Sequence, residues 1–137
     1  MKRRIFLSAV FSILITSQVG YAKERIFYSP GLAEAAIEEG KVVFLDFWTN
    51  WCTTCVAQDR VIRELRSSNQ TYDSRITFIT VNWDQHSDAQ ISKKLKVLRR
   101  STLIAMKGSK ELGRLVAATS RKDIKELMDK ALLAADE

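Results

Sequence analysis

The hydrophobic residues of this chain form two kinds of run, and the first kind predicts β-strands. The strongest example is Val42-Val43-Phe44-Leu45, which is followed by Asp46-Phe47-Trp48. A continuous apolar run of this length suits a strand that is covered on both faces of a sheet. Strands are predicted on this basis at residues 25–28, 41–48, 76–81, 102–106 and 111–116. The segment Lys107-Gly108-Ser109-Lys110 separates the last two strands and indicates a hairpin.

The second kind of run places apolar residues three and four positions apart, as on one face of a helix. Helices are predicted at residues 29–40, from 53 to 67–69, at 87–95 and from 120 onwards. The predicted N-caps are Ser29 (followed by Pro30), Ser87 and Ser120, and Gly40 is predicted to end the first helix. The helix residues predicted to face the core are Leu32, Ala36, Ile37, Val56, Val61, Ile62, Leu65, Ile91, Leu95, Ile124, Leu127, Met128, Ala131 and Leu132. The order β-α-β-α-β-α-β-β-α is typical of a single α/β domain.

The first 22 residues have the layout of a cleaved secretory signal peptide. Three basic residues, Lys2 to Arg4, precede an apolar run over residues 5–15, and small residues permit cleavage after Ala22. The apolar run is shorter than the roughly 20 residues of a membrane-spanning helix, which favours a cleaved signal peptide over the alternative of an uncleaved anchor. Cleavage would leave one domain at residues 23–137, with 19 Lys and Arg against 16 Asp and Glu. No basic-aromatic stripe in this mild positive excess points to nucleic acid.

The only two cysteines, Cys52 and Cys55, follow the central predicted strand at the point where a helix begins. Thiols at this spacing can form and break a disulfide with little movement of the backbone. The unpaired amides and partial positive charge of a helix N-terminus favour a thiolate on the leading cysteine. Cys52 is therefore predicted to attack a partner's disulfide, and Cys55 to resolve the mixed disulfide.

Other uses of the cysteine pair find less support in the surrounding residues. A structural disulfide would close a very short loop and would therefore stabilise the fold little. A zinc or iron–sulfur site would need ligands from a second chain, because His86 is the only histidine. Covalent haem would need histidine at position 56, which is Val56. Ordinary buried thiols also stay open as an interpretation.

The segment from Val42 to Cys55 resembles the active-site segment of the thioredoxin superfamily, with its apolar strand, Asp-Phe-Trp and Trp-Cys-x-x-Cys. A looser similarity extends over residues 26–128 and includes the hairpin at 108–114. The resemblance implies a thioredoxin fold, an α/β structure in which helices flank both faces of a central mixed sheet. It also implies thiol-disulfide oxidoreductase activity. The dipeptide Thr53-Thr54 makes the motif most similar to exported thioredoxin-like domains, including the C-terminal domain of transmembrane thiol reductases.

The resemblance further implies roles for residues around the cysteines. Trp51 would cover the attacking sulfur and form part of the docking face. Asp46 would be the buried acid that accepts the proton of the second cysteine, and burial should raise its pKa. Many thioredoxins pair this acid with a lysine, but Thr80 stands at that position here. Asp46 is therefore expected to be harder to ionise.

A second departure from the family pattern concerns the start of the fourth strand. The family usually places a cis-proline directly before threonine there, whereas this chain has Ser101 before Thr102. Ser101 and Thr102 are predicted to contact the substrate. The Arg100–Ser101 bond is expected to be trans, because a cis bond outside proline costs about 2.5–4 kcal/mol.

These features together predict an exported, periplasmic thiol-disulfide oxidoreductase that acts more as a reductant than as an oxidant, with no bound cofactor. The expected partners are protein disulfides or dithiols and a membrane or periplasmic electron donor. No nucleic acid partner, no membrane attachment after cleavage and a monomeric state are expected. Two alternatives are a metal or iron–sulfur binding module that uses Cys52 and Cys55 of two chains, and a non-enzymatic adaptor that binds partners through Trp51.

Overall fold

The computed structural model describes residues 20–137. The basic and apolar parts of the predicted signal peptide, residues 2–15, lie outside the described residues. Cleavage after Ala22 and the domain boundary at Lys23 therefore stay predictions. Within residues 20–137, every helix is too short or too polar to span a bilayer.

Five strands and six helices make up the described part of the chain. The strands are β1 (Ile26–Phe27), β2 (Val42–Trp48), β3 (Thr77–Asn82), β4 (Thr102–Lys107) and β5 (Lys110–Val116). The helices are α1 (Leu32–Glu38), α2 (Thr53–Ser68), α3 (Thr71–Arg75), α4 (Trp83–His86), α5 (Gln90–Lys94) and α6 (Arg121–Ala134). All five predicted strands and all four predicted helices are present, and α3 and α4 are additional.

The strands form one mixed sheet in the order β1-β3-β2-β4-β5. β1, β3 and β2 run parallel, while β4 is antiparallel to β2 and β5 is antiparallel to β4. β2 is the middle strand, which explains why residues 42–47 are all buried. Its Asp46 pairs in register with Thr80 of β3 on one side and Leu103 of β4 on the other. The predicted central mixed sheet is confirmed.

Helices cover both faces of the sheet, so the core has two layers. Successive strand residues point to opposite faces. One layer contains Val42 and Phe44 of β2 together with side chains of α2, α3 and α6. The other layer contains Val43, Leu45 and Phe47 together with side chains of α1 and α5. This alternation turns Asp46 toward the face that α2 covers.

Several local predictions are confirmed. Ser120 is the N-cap of α6, because its hydroxyl accepts a hydrogen bond of 3.0 Å from the amide of Asp123. Gly40 follows the last turn of α1 with a φ of +73°, a conformation that glycine adopts without strain. The hairpin joins β4 to β5 through Gly108 and Ser109.

The predicted start of the first helix is wrong. Ser29 and Pro30 lie in a turn before α1, and the N-cap is Gly31, whose φ is +93°. Glu34 replaces the expected hydroxyl cap, since its carboxylate accepts a hydrogen bond from the amide of Gly31. The inward face of α1 carries Ala33 instead of Leu32, which is half-exposed.

Two further predictions fail near other helix ends. Val56 is exposed, because it lies on the outer side of the first turn of α2. Ser87 is the C-cap of α4 and does not begin a helix; α5 begins three residues later, after Ala89. The single turn of α4 forms because the Asn82 side chain accepts a hydrogen bond from the amide of Asp84.

Candidate active site

Cys52 and Cys55 lie together at the N-terminus of α2. Cys52 is the N-cap, and its sulfur accepts a hydrogen bond from the amide of Cys55 at 3.3 Å. Both are free thiols, with 6% of Cys52 and none of Cys55 exposed to solvent. The strand β2 ends at Trp48 and α2 begins at Thr53, so the two cysteines lie at the junction between the central strand and the helix.

The surroundings of the two sulfurs shift the pKa values of Cys52 and Cys55 in opposite directions. Burial disfavours a thiolate on Cys52, but hydrogen bonds from the Cys55 thiol, the Ser101 hydroxyl, the Cys55 amide and Arg100 outweigh it and lower the pKa of Cys52 to about 6. Burial raises the pKa of Cys55, and so does the hydrogen bond to Cys52. At neutral pH the first sulfur is therefore mainly a thiolate and the second a thiol. Attack requires a thiolate on Cys52, and Cys55 can stay protonated until it resolves the mixed disulfide.

Ser101 lies directly against both sulfurs. Its hydroxyl oxygen is 3.2 Å from Cys52 Sγ and 3.1 Å from Cys55 Sγ, and the residue is fully buried. The structure contains no cis peptide bond in residues 20–137, so the Arg100–Ser101 bond is trans. The next residue, Thr102, begins β4, and its hydroxyl donates a hydrogen bond to the carbonyl oxygen of Arg99. The substrate-binding roles of Ser101 and Thr102 stay predictions.

Trp51 forms the exposed edge of the site. Its side chain is 58% exposed, and the indole N–H donates a hydrogen bond of 2.8 Å to the Asp84 carboxylate. The guanidinium of Arg100 lies over the indole ring, 4.3 Å from its centre. Cation and carboxylate together hold the ring in place beside the cysteines. Its position agrees with the predicted docking role, which itself stays a prediction.

Asp46 is buried on the α2 face of the sheet, and one of its carboxylate oxygens, Oδ1, has no hydrogen-bond partner. It lines a cavity of about 180 Å³ whose wall also includes Thr80, Arg25 and Asp59. Burial is the main reason why the pKa of Asp46 rises to about 7; the Asp59 charge adds to the rise, Arg25 opposes it, and Cys52 adds further. An acid with this pKa can exchange a proton near neutral pH.

Arg25 contributes a positive charge to the cavity that Asp46 lines, where position 80 is threonine. It is paired with Asp59 of α2, and its guanidinium lies 4.5 Å from the centre of the Trp48 ring. Nothing in the sequence points to Arg25, because the residue precedes β1 and its partner Asp59 is 34 positions away in the chain.

Gln58 is a second residue that the sequence analysis missed. It is fully buried, and its amide nitrogen donates hydrogen bonds to the carbonyl oxygens of Ser101 and Ala118 at 3.1 and 2.9 Å. Its signal was available in the sequence, since a polar residue stands at helical spacing between Cys55 and Ile62 on the inward stripe of α2. Gln58 thus ties α2 to the loop that carries Ser101.

Residues 20–137 contain no cluster of three or more His, Cys, Asp or Glu side chains that could hold a metal ion.

Comparison with known proteins agrees with the geometry of the site. The thioredoxin family model matches residues 31–130. Mitochondrial thioredoxin-2 of Schizosaccharomyces pombe is 33% identical over 91 residues, which cover 66% of this chain and 61% of that protein. This chain therefore spans less than two thirds of that relative. Thioredoxin of Staphylococcus epidermidis is 27% identical over 99 residues, covering 72% of this chain and 89% of that protein.

Solved structures give the same result for the fold. Trxlp of Edwardsiella tarda has a TM-score of 0.64 at 25% identity, over 74% of this chain and 97% of that one. Malassezia sympodialis thioredoxin has a TM-score of 0.66 at 19% identity, over 77% of this chain and 91% of that one, which is evidence for the fold alone.

The matched region runs from the start of α1 into α6 and contains the sheet from β2 onwards and both cysteines. Because proteins of this family act on protein disulfides through a Cys-x-x-Cys pair, Cys52 and Cys55 are a redox-active dithiol. The chain belongs to the thioredoxin family and is a thiol-disulfide oxidoreductase.

Proposed function

We propose that this chain is an exported oxidoreductase that works in the periplasm, mainly as a reductant of disulfides in partner proteins. The observation that carries the proposed chemistry is the hydrogen-bonded position of Cys52 at the N-cap of α2, where its pKa falls to about 6. Export is supported by the basic residues, apolar run and small residues that end at Ala22.

The proposed reaction has two exchange steps. The Cys52 thiolate attacks one sulfur of a partner's disulfide, which forms a mixed disulfide and releases the partner's other sulfur as a thiolate. Cys55 then loses its proton and attacks Cys52, which releases the second partner sulfur and leaves a Cys52–Cys55 disulfide. The partner gains two electrons and the dithiol loses two. Asp46 is the proposed acceptor of the Cys55 proton, because its pKa of about 7 permits exchange near neutral pH.

The thiolate stabilisation opposes the preference for reduction only weakly. Lowering the pKa of Cys52 from 9.0 to about 6 stabilises the dithiol at pH 7 by about 1.4 kcal/mol, or about 30 mV for a two-electron couple. About 150 mV separates a reducing thioredoxin from a strongly oxidising periplasmic relative. The low pKa of Cys52 alone therefore does not make this pair a strong oxidant.

Reduction of insulin disulfides tests the proposed chemistry. Wild type should reduce insulin in the presence of an excess dithiol, and Cys52→Ser should abolish the reaction. Reduced Cys55→Ser, mixed with insulin after the excess dithiol has been removed, should stop at the mixed disulfide, which can be identified by mass spectrometry. Equal activity of the wild type and both variants would rule the mechanism out.

Two further measurements test direction and location. A reduction potential closer to about −270 mV than to about −120 mV supports a reductant, and the reverse result refutes that preference. The exported protein should begin at Lys23 when its N-terminus is determined by mass spectrometry. A retained Met1 in that spectrum would contradict cleavage.

A further inference from the structure

Ser101 differs from the other residues around the dithiol because a single atom of its side chain reaches both sulfurs. Its Oγ lies 3.2 Å from Cys52 Sγ and 3.1 Å from Cys55 Sγ. These distances are within hydrogen-bond range for a hydroxyl and a sulfur. The hydroxyl is fully buried together with Cys55, so bulk water does not compete for it.

The main chain fixes this hydroxyl in position. Ser101 has a φ of +62°, a left-handed conformation that is strained for a residue other than glycine. Its amide donates to the carbonyl oxygen of Phe47 at 2.7 Å, and its own carbonyl oxygen accepts from the amide of Ala117 at 2.8 Å and from Gln58 at 3.1 Å. These three hydrogen bonds hold the strained residue so that its side chain points between the sulfurs.

A hydroxyl has one proton to donate and two lone pairs that can accept. When Cys52 is a thiolate and Cys55 a thiol, the hydroxyl of Ser101 and the S–H of Cys55 can both donate to Cys52. In a mixed disulfide Cys52 carries no charge, and rotation of the O–H bond alone would redirect the proton toward Cys55. No heavy atom has to move for this exchange.

We propose that Ser101 is a catalytic residue whose single hydroxyl proton stabilises the thiolate of Cys52 during attack and then the thiolate of Cys55 during resolution. The proposal rests on the two-step reaction above. In the second step the Cys55 proton passes to the Asp46 carboxylate, and the hydroxyl of Ser101 donates to the resulting thiolate. The new Cys52–Cys55 bond forms as the bond from Cys52 to the partner breaks, and the electron pair leaves on the partner's sulfur. Ser101 itself gains and loses no atom.

The two steps can be observed separately with an aromatic disulfide such as Ellman's reagent, which releases a coloured thiolate at each exchange. The first release depends on reagent concentration and reports attack by Cys52. The second is independent of concentration and reports resolution by Cys55. Ser101→Ala removes the hydroxyl, and with the assay at about pH 5, below the pKa of Cys52, we expect both phases to slow by about threefold. The loss of one hydrogen bond to a charged group lowers each thiolate fraction about tenfold, and the higher pKa makes the remaining thiolate about threefold more nucleophilic. The pH profile of the first phase should also move upward, a change that a purely structural role would not produce.

Matched variants separate the hydroxyl from the backbone. Ser101→Gly also lacks the hydroxyl but relieves the strain at a positive φ, so it should slow both phases as Ser101→Ala does. Ser101→Thr retains a hydroxyl and should recover part of the rate. Ser92→Ala is the control, because Ser92 is also buried but donates its hydroxyl proton to the carbonyl oxygen of His86, and both phases should remain as in wild type.

The outcomes distinguish this proposal from the proposed function. If wild type shows only the first release, resolution by Cys55 fails, and the proposed two-step reaction fails with it. If wild type shows two phases and either phase is unchanged in Ser101→Ala, the shared role of the hydroxyl is refuted while the oxidoreductase mechanism stands. Slowing in the alanine variant but not in the glycine variant would assign the effect to the backbone and would also refute the proposal.

Discussion

Replacing Asp46 by asparagine should stabilise the protein at alkaline pH and have little effect at acidic pH. The two side chains are nearly equal in size, but only aspartate can carry a charge. Asp46 is buried between β3 and β4, with Oδ1 unpartnered, so its ionised form is poorly solvated in the fold. The variant therefore removes the cost of burying a charge without opening a large cavity.

The magnitude follows from the pKa of Asp46, which rises from 3.8 to about 7, mainly through burial. Because the folded state binds this proton more tightly than the unfolded state does, ionisation reduces the free energy of unfolding. The reduction begins near pH 4, grows until about pH 7 and is constant above that. At about 1.4 kcal/mol per pH unit, the interval between the two pKa values corresponds to about 4 kcal/mol. A domain is typically stable by about 5–15 kcal/mol, so the effect is large.

The assay is urea unfolding of wild type and Asp46→Asn at about pH 4.5 and pH 8.5, with both proteins oxidised so that neither cysteine titrates. The variant should exceed wild type by about 4 kcal/mol at the higher pH and by about 1 kcal/mol at the lower. Loss of the Cys52 charge on oxidation has little influence, since that charge is the smallest of the four causes of the shift. Asp88→Asn, at an exposed position, controls for the change of residue type. A difference between Asp46→Asn and wild type that is the same at both pH values would refute the reasoning.

Two other predictions concern single contacts. Arg25→Gln should raise the pKa of Asp46 further, because the Arg25 charge opposes the shift; carbon NMR of the Asp46 carboxyl against pH measures it. Arg121→Gln, which removes an exposed ion pair with Glu64, is the control and should leave the pKa of Asp46 unchanged. The same pKa of Asp46 in both variants would contradict the role of Arg25. Gly40→Ala should lower stability by about 1–2 kcal/mol through its φ of +73° alone, since no atom lies within 4 Å of the added methyl group. An unchanged melting temperature would contradict that cause.

The architecture of the domain could be predicted because its signals are local and strong. Residues 42–45 and 47–48 are apolar on either side of Asp46, and a strand of this kind is needed only in the middle of a sheet with helices on both faces. The same strand leads into the Cys-x-x-Cys motif, so the position of the dithiol followed from the sequence as well. Helix ends were less predictable. Ala36 and Ile37 of α1 are buried as predicted, but the helix begins two residues later than predicted, at Leu32, and this first residue is 38% exposed.

The residues that tune the site could not be predicted in the same way, because their contacts are distant in sequence. Arg25 reaches the Asp46 cavity from the segment before β1, and Gln58 reaches the loop before β4 from α2. Ser101 was noticed only because it occupies the place of an expected proline. Its contact with both sulfurs depends on a positive φ that nothing in its side chain favours.

The main-chain bonds of Ser101 have a consequence for the choice of substrates. Its amide and carbonyl groups are already bonded to Phe47, Ala117 and Gln58, so an incoming polypeptide finds no vacant amide at this residue. Recognition through the main chain is tolerant of sequence, whereas recognition through side chains is selective. We therefore expect this protein to depend on the Trp51 and Arg100 side chains and to act on a narrower range of disulfides than a general-purpose thioredoxin does.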